Sequence, residues 1–157
     1  MAKNNTISIG NSGEYFVAAE LERRGFTATV PMSNTKDFDI LAINRDTHRQ
    51  VALQVKTNRS KHKTWILTKK SEDISGPKIY YVFILLNDLE QPQYYIVESE
   101  LIAESMREGY KRWITGDKTG KKRHETSMRK FTFEISEYSN CLGLKYEDFE
   151  SNWDKLK

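Results

Sequence analysis

Asp39, Gln54 and Lys56 place a carboxylate, an amide and an amine in one short stretch of a 157-residue chain, and Glu14 lies ahead of them in a segment with helical spacing. An acid on a mostly apolar helical stripe needs a partner once that stripe packs against a sheet, because an unpaired buried charge is costly. A divalent cation shared by Glu14 and Asp39 is one such partner. Hard cations take oxygen ligands, and the carbonyl of an amide such as Gln54 serves without adding charge. Each residue also has a plainer reading. Glu14 stands three residues after Asn11 and completes a capping box there. Asp39 can end a turn, and Gln54 and Lys56 taken alone are ordinary solvent-facing strand residues.

The elements around these residues decide between the readings. Asp37 to Asn44 and Gln50 to Thr57 read as two strands joined by the polar connection Arg45-Asp46-Thr47-His48, hence an antiparallel hairpin. With four connecting residues, Asn44 faces Arg49, Ile43 faces Gln50, and Asp39 falls opposite Gln54. Side chains alternate with period two, so Lys56 projects with Gln54, and Asp37 falls opposite Lys56. Asp37 shares the face of Asp39 and is its rival as the acid of the cluster; Asp39 is preferred because it meets Gln54. The opposite face then carries Phe38, Ile40, Ala42, Val51, Leu53 and Val55, all apolar. A slip of one residue would drive Asp39 into that set, so the register is strongly specified.

These residues resemble the PD-(D/E)XK nuclease superfamily, which has the restriction-endonuclease-like fold. The resemblance runs through Gly13-Glu14-Tyr15, Glu20-Leu21-Glu22-Arg23-Arg24-Gly25-Phe26, Lys36-Asp37-Phe38-Asp39-Ile40-Leu41 and Leu53-Gln54-Val55-Lys56-Thr57. It covers roughly the first 57 residues well. It implies an α/β domain built on a mixed β-sheet flanked by helices, and metal-dependent hydrolysis of phosphodiester bonds in DNA. It places the helical acid at Glu14, the strand acid at Asp39 and the lysine at Lys56. The position usually held by a second Asp or Glu is Gln54, and the Val55 carbonyl is a further ligand of the Mg²⁺ (or Mn²⁺) that the resemblance implies. Lys56 would position the attacking water or stabilise charge on the phosphorus. Two formal negative charges instead of three imply weaker metal affinity. Two alternatives stay open: a DNA-binding relative without turnover, and a protein-interaction or immunity module on the same scaffold.

Charge supports a polyanion as partner. Residues 56–70 hold six cations and no acid, and residues 107–130 hold nine cations against three acids, in a chain of net charge +3. Arg59, Lys61 and Lys63 follow the motif lysine and can grip phosphates beside it. Lys118, Lys121, Lys122 and Arg123 form a second basic loop. Trp65 is the aromatic residue best placed by sequence to stack on a base. His48, His62 and His124 show no ligand spacing and read as surface residues. Cys141, the one cysteine, reads as a small buried residue and excludes an internal disulfide framework. The longest apolar run, Ile79 to Leu86, is too short to cross a bilayer, and residues 1–11 lack a secretory signal, so a soluble cytoplasmic protein is expected. DNA is the expected partner, with a second copy for double-strand cleavage or a separate subunit for specificity.

The remaining pattern predicts one domain over 1–157, with the motif core at 12–97. A helix opens at Asn11 and stops at Gly25, and a strand runs from Thr27 to Val30. Ile79 to Leu86 is a strand buried on both faces, Gln93 to Val97 another, and Ser99 to Ile114 a helix capped by Ser99. That helix buries Leu101, Ile102, Met106, Tyr110 and Trp113 or part of that set. Phe131, Phe133 and Ile135 alternate as a late strand. Tyr146, Phe149, Trp153 and Leu156 lie at spacings that suit a terminal helix.

Overall fold

The structure is a computed structural model that describes residues 6–32, 38–116, 119 and 123–157. Helix α1 (Thr6–Arg23) leads into β1 (Phe26–Thr29), then the hairpin β2 (Ile40–Asn44) and β3 (Gln50–Asn58). Strands β4 (Thr64–Thr68), β5 (Ile79–Leu85) and β6 (Gln93–Glu98), helix α2 (Ser99–Thr115) and strand β7 (Met128–Thr132) follow. One five-stranded sheet has the order β1-β2-β3-β5-β6, with β3 and β5 parallel and the other neighbours antiparallel. Strands β4 and β7 form a separate antiparallel pair.

This is the mixed sheet flanked by helices that the sequence implies, and its two faces are covered by different material. Val17 and Leu21 of α1 pack on Ile40, Ala42, Leu53, Val55, Val82 and Ile84. On the other face Trp65, Phe131 and Phe133 and the α2 residues Ile102 and Met106 pack on Tyr81, Phe83, Tyr95 and Val97. Strand β5 is buried from both sides, which is why its sequence is continuously apolar. Each such Leu, Ile or Phe contributes about 1.5–3 kcal/mol by leaving water.

Several expectations change. Helix α1 begins at Thr6, so Asn11 is not its cap, and the Ser12 hydroxyl donates back to the Ser8 carbonyl at 2.7 Å. Glu14 therefore sits in the helix interior, where the capping-box reading no longer applies. Gly25, at φ +88°, ends the helix as expected. Strand β2 starts at Ile40 rather than Asp37. Phe38 is half-buried and lines a cavity with Leu41 and Ile43 rather than joining the core face, because alternation holds only where the strand is paired. Trp65 is 3% exposed among Phe83, Tyr95, Phe131 and Phe133, and its indole N–H donates to the Ile84 carbonyl at 3.2 Å; it is a core residue and cannot stack on a base. The late strand ends at Thr132, leaving Ile135 96% exposed.

Ser99 does not cap α2. Its hydroxyl is bonded to the backbone of Gly76, accepting from the N–H at 3.0 Å and donating to the carbonyl at 3.2 Å. The last residues form two short 3-10 turns, Tyr146–Asp148 and Trp153–Leu156, instead of a helix. The chain between them bonds to β6, with Ser151 N–H on the Tyr94 carbonyl at 2.8 Å and Ile96 N–H on the Phe149 carbonyl at 3.0 Å. Binding the sheet edge covers unpaired backbone and drops Phe149 into one core, Trp153 and Leu156 into the other. At the opposite edge, the Glu22 carboxylate accepts from Ala28 N–H at 2.8 Å and Arg45 donates to the Phe26 carbonyl at 2.9 Å.

Candidate active site

The hairpin has the register derived from its connection length: Ile40 pairs with Leu53, Leu41 with Ala52, Ala42 with Val51 and Ile43 with Gln50. Asn44 closes it, its N–H on the Arg49 carbonyl and its side-chain oxygen accepting from Asp46 and Thr47 N–H at 2.9 and 3.0 Å. Asp39 stands one residue before the paired part of β2. Its N–H donates to the Leu53 carbonyl at 2.9 Å, and its Oδ2 accepts from Val55 N–H at 2.7 Å. The carboxylate thus takes a ladder position that a backbone carbonyl would occupy, and is fixed against β3. A strand residue presents its N–H and C=O to the same side, so the Val55 carbonyl also faces the β2 side.

Gln54 and Lys56 leave β3 on its other face. Gln54 is 8% exposed, Lys56 is half-buried, and Lys56 Nζ donates to Gln54 Oε1 at 3.4 Å. Glu14 arrives from α1. The neighbouring Gly13 is buried against β3 and β5: a Cβ there would fall on Thr57 Oγ1 and lie 3.1 Å from Ile84 Cγ2. A glycine inside a helix costs about 1 kcal/mol relative to alanine. Here it allows α1 to approach the sheet closely beside the acid. Burial raises the Glu14 carboxyl above its usual value, and the negative charge of Asp39 raises it further, while Lys56 opposes both. Asp39 and Lys56 therefore both lie within electrostatic reach of Glu14, although the three come from different segments.

Tyr81 is a member of this neighbourhood that sequence reasoning missed. It pairs with Gln54 across the parallel β3–β5 contact and is 1% exposed. Burial, and secondarily the charge of Asp39, pushes its hydroxyl well above the ordinary phenol range, so it remains a proton donor. Its only sequence signal was membership of the apolar β5 run, which reads as core.

The basic residues are more dispersed. Arg59 donates to Asp88 at 3.1 Å, Lys61 is exposed, and Lys63 Nζ lies 4.6 Å from the centre of the Tyr146 ring. Arg123 donates to the Trp113 carbonyl near the end of α2 and lies over the Trp113 and Tyr138 rings. Lys36, Asp37, Lys118, Lys121 and Lys122 lie outside the described residues. His48 occupies the hairpin connection at φ 57°, and Cys141 is half-buried with its Sγ 3.6 Å from the Ser105 carbonyl.

No family model matches the sequence, and no curated protein matches it. Solved structures do. The chain aligns with a bacterial homing endonuclease, I-Ssp6803I, at TM-score 0.55 and 10% identity, over 96% of this chain and 89% of that one. It also aligns with the Holliday junction resolvase Hjc of Archaeoglobus fulgidus at TM-score 0.46 and 15% identity, over 88% and 93%. What the chain shares with the homing endonuclease is the fold. No helix among the described residues is long and apolar enough to cross a membrane.

The donors assembled here suit a hard cation. Glu14 and Asp39 supply carboxylates, and Gln54 Oε1, which accepts from Lys56, is a neutral oxygen. The Glu14 carboxyl is raised first by burial and then by the Asp39 charge, and a cation beside it would favour its ionised form. Among the described residues no group of three His, Cys, Asp or Glu side chains converges.

Proposed function

We propose that this protein is a metal-dependent DNA endonuclease whose site is Glu14, Asp39, Gln54 and Lys56. One arrangement carries the reading: Asp39 is fixed on the Val55 N–H of the strand that also carries the Lys56–Gln54 pair, and α1 brings the half-buried Glu14, raised chiefly by burial and further by the Asp39 charge, on a fold shared with a homing endonuclease. Glu14, Asp39, Gln54 Oε1 and the Val55 carbonyl would hold Mg²⁺ or Mn²⁺, which when bound polarises a phosphate and acidifies a water. The Val55 N–H holds Asp39 in place. Gln54 orients the Lys56 ammonium, which directs the attacking water or balances charge developing on the phosphate. Lys61 and Lys63 supply phosphate contacts, joined by Arg59 once DNA competes with Asp88. For cutting both strands, each chain having one such cluster, the reading adds a second copy or two successive nicks.

The test is nicking of supercoiled plasmid by highly purified protein in Mg²⁺ or Mn²⁺, with EDTA as control. Gln54→Glu restores a third charge and should lower the Mg²⁺ concentration at half-maximal activity; an unchanged Mg²⁺ dependence removes Gln54 from the ligand set. The amide at Gln54 itself favours a second reading, a relative that binds DNA without cutting. Salt-sensitive DNA binding with no nicking in either metal would establish that reading instead.

A further inference from the structure

A second concave site lies away from the Glu14 cluster, between the C-terminal half of α2 and the chain around β7. Its volume is about 360 Å³, in the range of small-molecule pockets. Tyr110, Trp113, Tyr138 and Met128 line it together with Arg129 and Lys130, and among the described residues no acidic side chain does so. The Tyr110 and Trp113 rings are stacked at 5.7 Å and 27°. Gly109 makes the wall possible, since a Cβ there would collide with the Tyr138 carbonyl, so that only a glycine lets this segment close on α2.

Arg129 is the unusual element. It is 4% exposed, its guanidinium lies 3.4 Å from the centre of the Tyr110 ring, and Nε is paired with Glu72. Nη1 donates to the Thr126 and Met128 carbonyls at 2.6 and 3.0 Å. Nη2 is buried with no acceptor. A buried donor without a partner costs about 1–3 kcal/mol, more when charged. The pocket thus combines aromatic walls, on which the Arg123 and Arg129 guanidinium groups already lie, with the exposed amine of Lys130 and, among the described residues, no carboxylate. That combination selects a planar ring bearing acceptor atoms, attached to a negatively charged group.

We infer that this cavity binds a nucleotide, its base against the Tyr110, Trp113 and Tyr138 rings and its phosphate toward Lys130. The base belongs either to an extrahelical position in bound DNA or to a free nucleotide. The first source rests on the DNA reading above; the pocket chemistry does not. An extrahelical base has already lost its stacking partners, so the pocket discriminates it from a paired one.

The experiment is run in EDTA, so that cleavage does not enter. Two duplexes are titrated with the protein, one carrying a single extrahelical 2-aminopurine and one with 2-aminopurine fully paired; deoxyadenosine monophosphate is titrated separately, followed by Trp fluorescence. Preference for the extrahelical duplex of about tenfold, with quenching of its 2-aminopurine, is expected from stacking on one aromatic platform. Trp113→Ala should remove that preference. The exposed Lys130→Ala, which leaves the buried packing untouched, should weaken it about threefold, one phosphate contact's worth. Saturable binding of the free nucleotide, lost in both variants, with no preference between duplexes, assigns the pocket to the free source. Equal binding of both duplexes without quenching, and no response to the nucleotide, overturns the inference and leaves the endonuclease reading standing. Failure to bind either duplex in EDTA and again in Ca²⁺, which fills a hard-cation site, overturns the endonuclease reading, and the nucleotide titration then decides the pocket alone.

Discussion

The two polar clusters of this molecule are built on opposite principles. Around Arg129 a cation is almost enclosed, and its charge is met by Glu72, two carbonyls and a ring face. Around Glu14 the burial of its carboxyl works first against ionisation, the charge of Asp39 adds to that, and the Lys56 amine opposes both. The first arrangement is electrostatically closed and ties β7 to the 3-10 turn (Lys69–Glu72). The second is open, short of positive charge, and lies where three elements meet. Charge in a sequence says little about which kind of cluster it will join: the two basic segments contain Lys56, Arg123 and Arg129, and each has a different fate.

Removing a charge should therefore have opposite consequences in the two places. The largest effect on folding is expected for Arg129→Ala, which leaves Glu72 poorly exposed without its partner and should cost about 3–5 kcal/mol in chemical denaturation. A loss below 1 kcal/mol would mean that the closed cluster does not hold β7. Lys56→Ala should leave the denaturation midpoint nearly unchanged while lowering plasmid nicking about 10²–10³-fold, the scale of one charge-stabilising donor. Retained nicking would take Lys56 out of the chemistry. Gly13→Ala tests the approach of α1: the helix gains about 1 kcal/mol in propensity, but the methyl group meets Thr57 and Ile84, and overpacking of about 1–3 kcal/mol should prevail. A more stable Gly13→Ala variant would show that the glycine is not there for closeness.

The smallest effect concerns pH. The Glu14 carboxyl titrates above 4.5 when folded, so the folded state binds more protons there than the unfolded one. Stability contributed by this group is full below pH 4.5 and declines as pH rises through the folded value. Glu14→Gln should make the metal-free protein slightly more stable at pH 7 and not at pH 4, measured by thermal unfolding in EDTA. Adding Mg²⁺ should raise Tm in the parent and less in the variant. If the two respond equally to Mg²⁺, Glu14 is not a ligand.

Helix α1 starts earlier than its capping pattern at Asn11 and Glu14 suggests, because Thr6 to Gly10 continue the helix without any strong start signal. The C-terminal turns depart from the expected helix for a different reason: apolar residues at helical spacing also suit a chain that crosses a sheet edge and drops rings on both sides. Trp65 had charged neighbours in sequence but aromatic ones in space, because β4 pairs with β7, more than sixty residues away. Tyr81 could not be assigned to the site without the parallel pairing of β3 with β5, which no local pattern encodes.

The hairpin was different. Its register follows from a four-residue connection and a period of two, both local quantities, so the sequence alone brought Asp39, Gln54 and Lys56 toward one end of β3. Apolar content and its spacing likewise determined that a mixed α/β core would form. Only the tertiary structure decided that Glu14 comes within electrostatic reach of Asp39 and Lys56, because that depends on Gly13 letting a helix rest on Thr57 and Ile84. It also decided which cations remain available, since guanidinium groups are spent on carbonyls, rings and acids supplied by distant segments. Local order reads from spacing; the balance of charge at a site is set by whatever the fold packs against it.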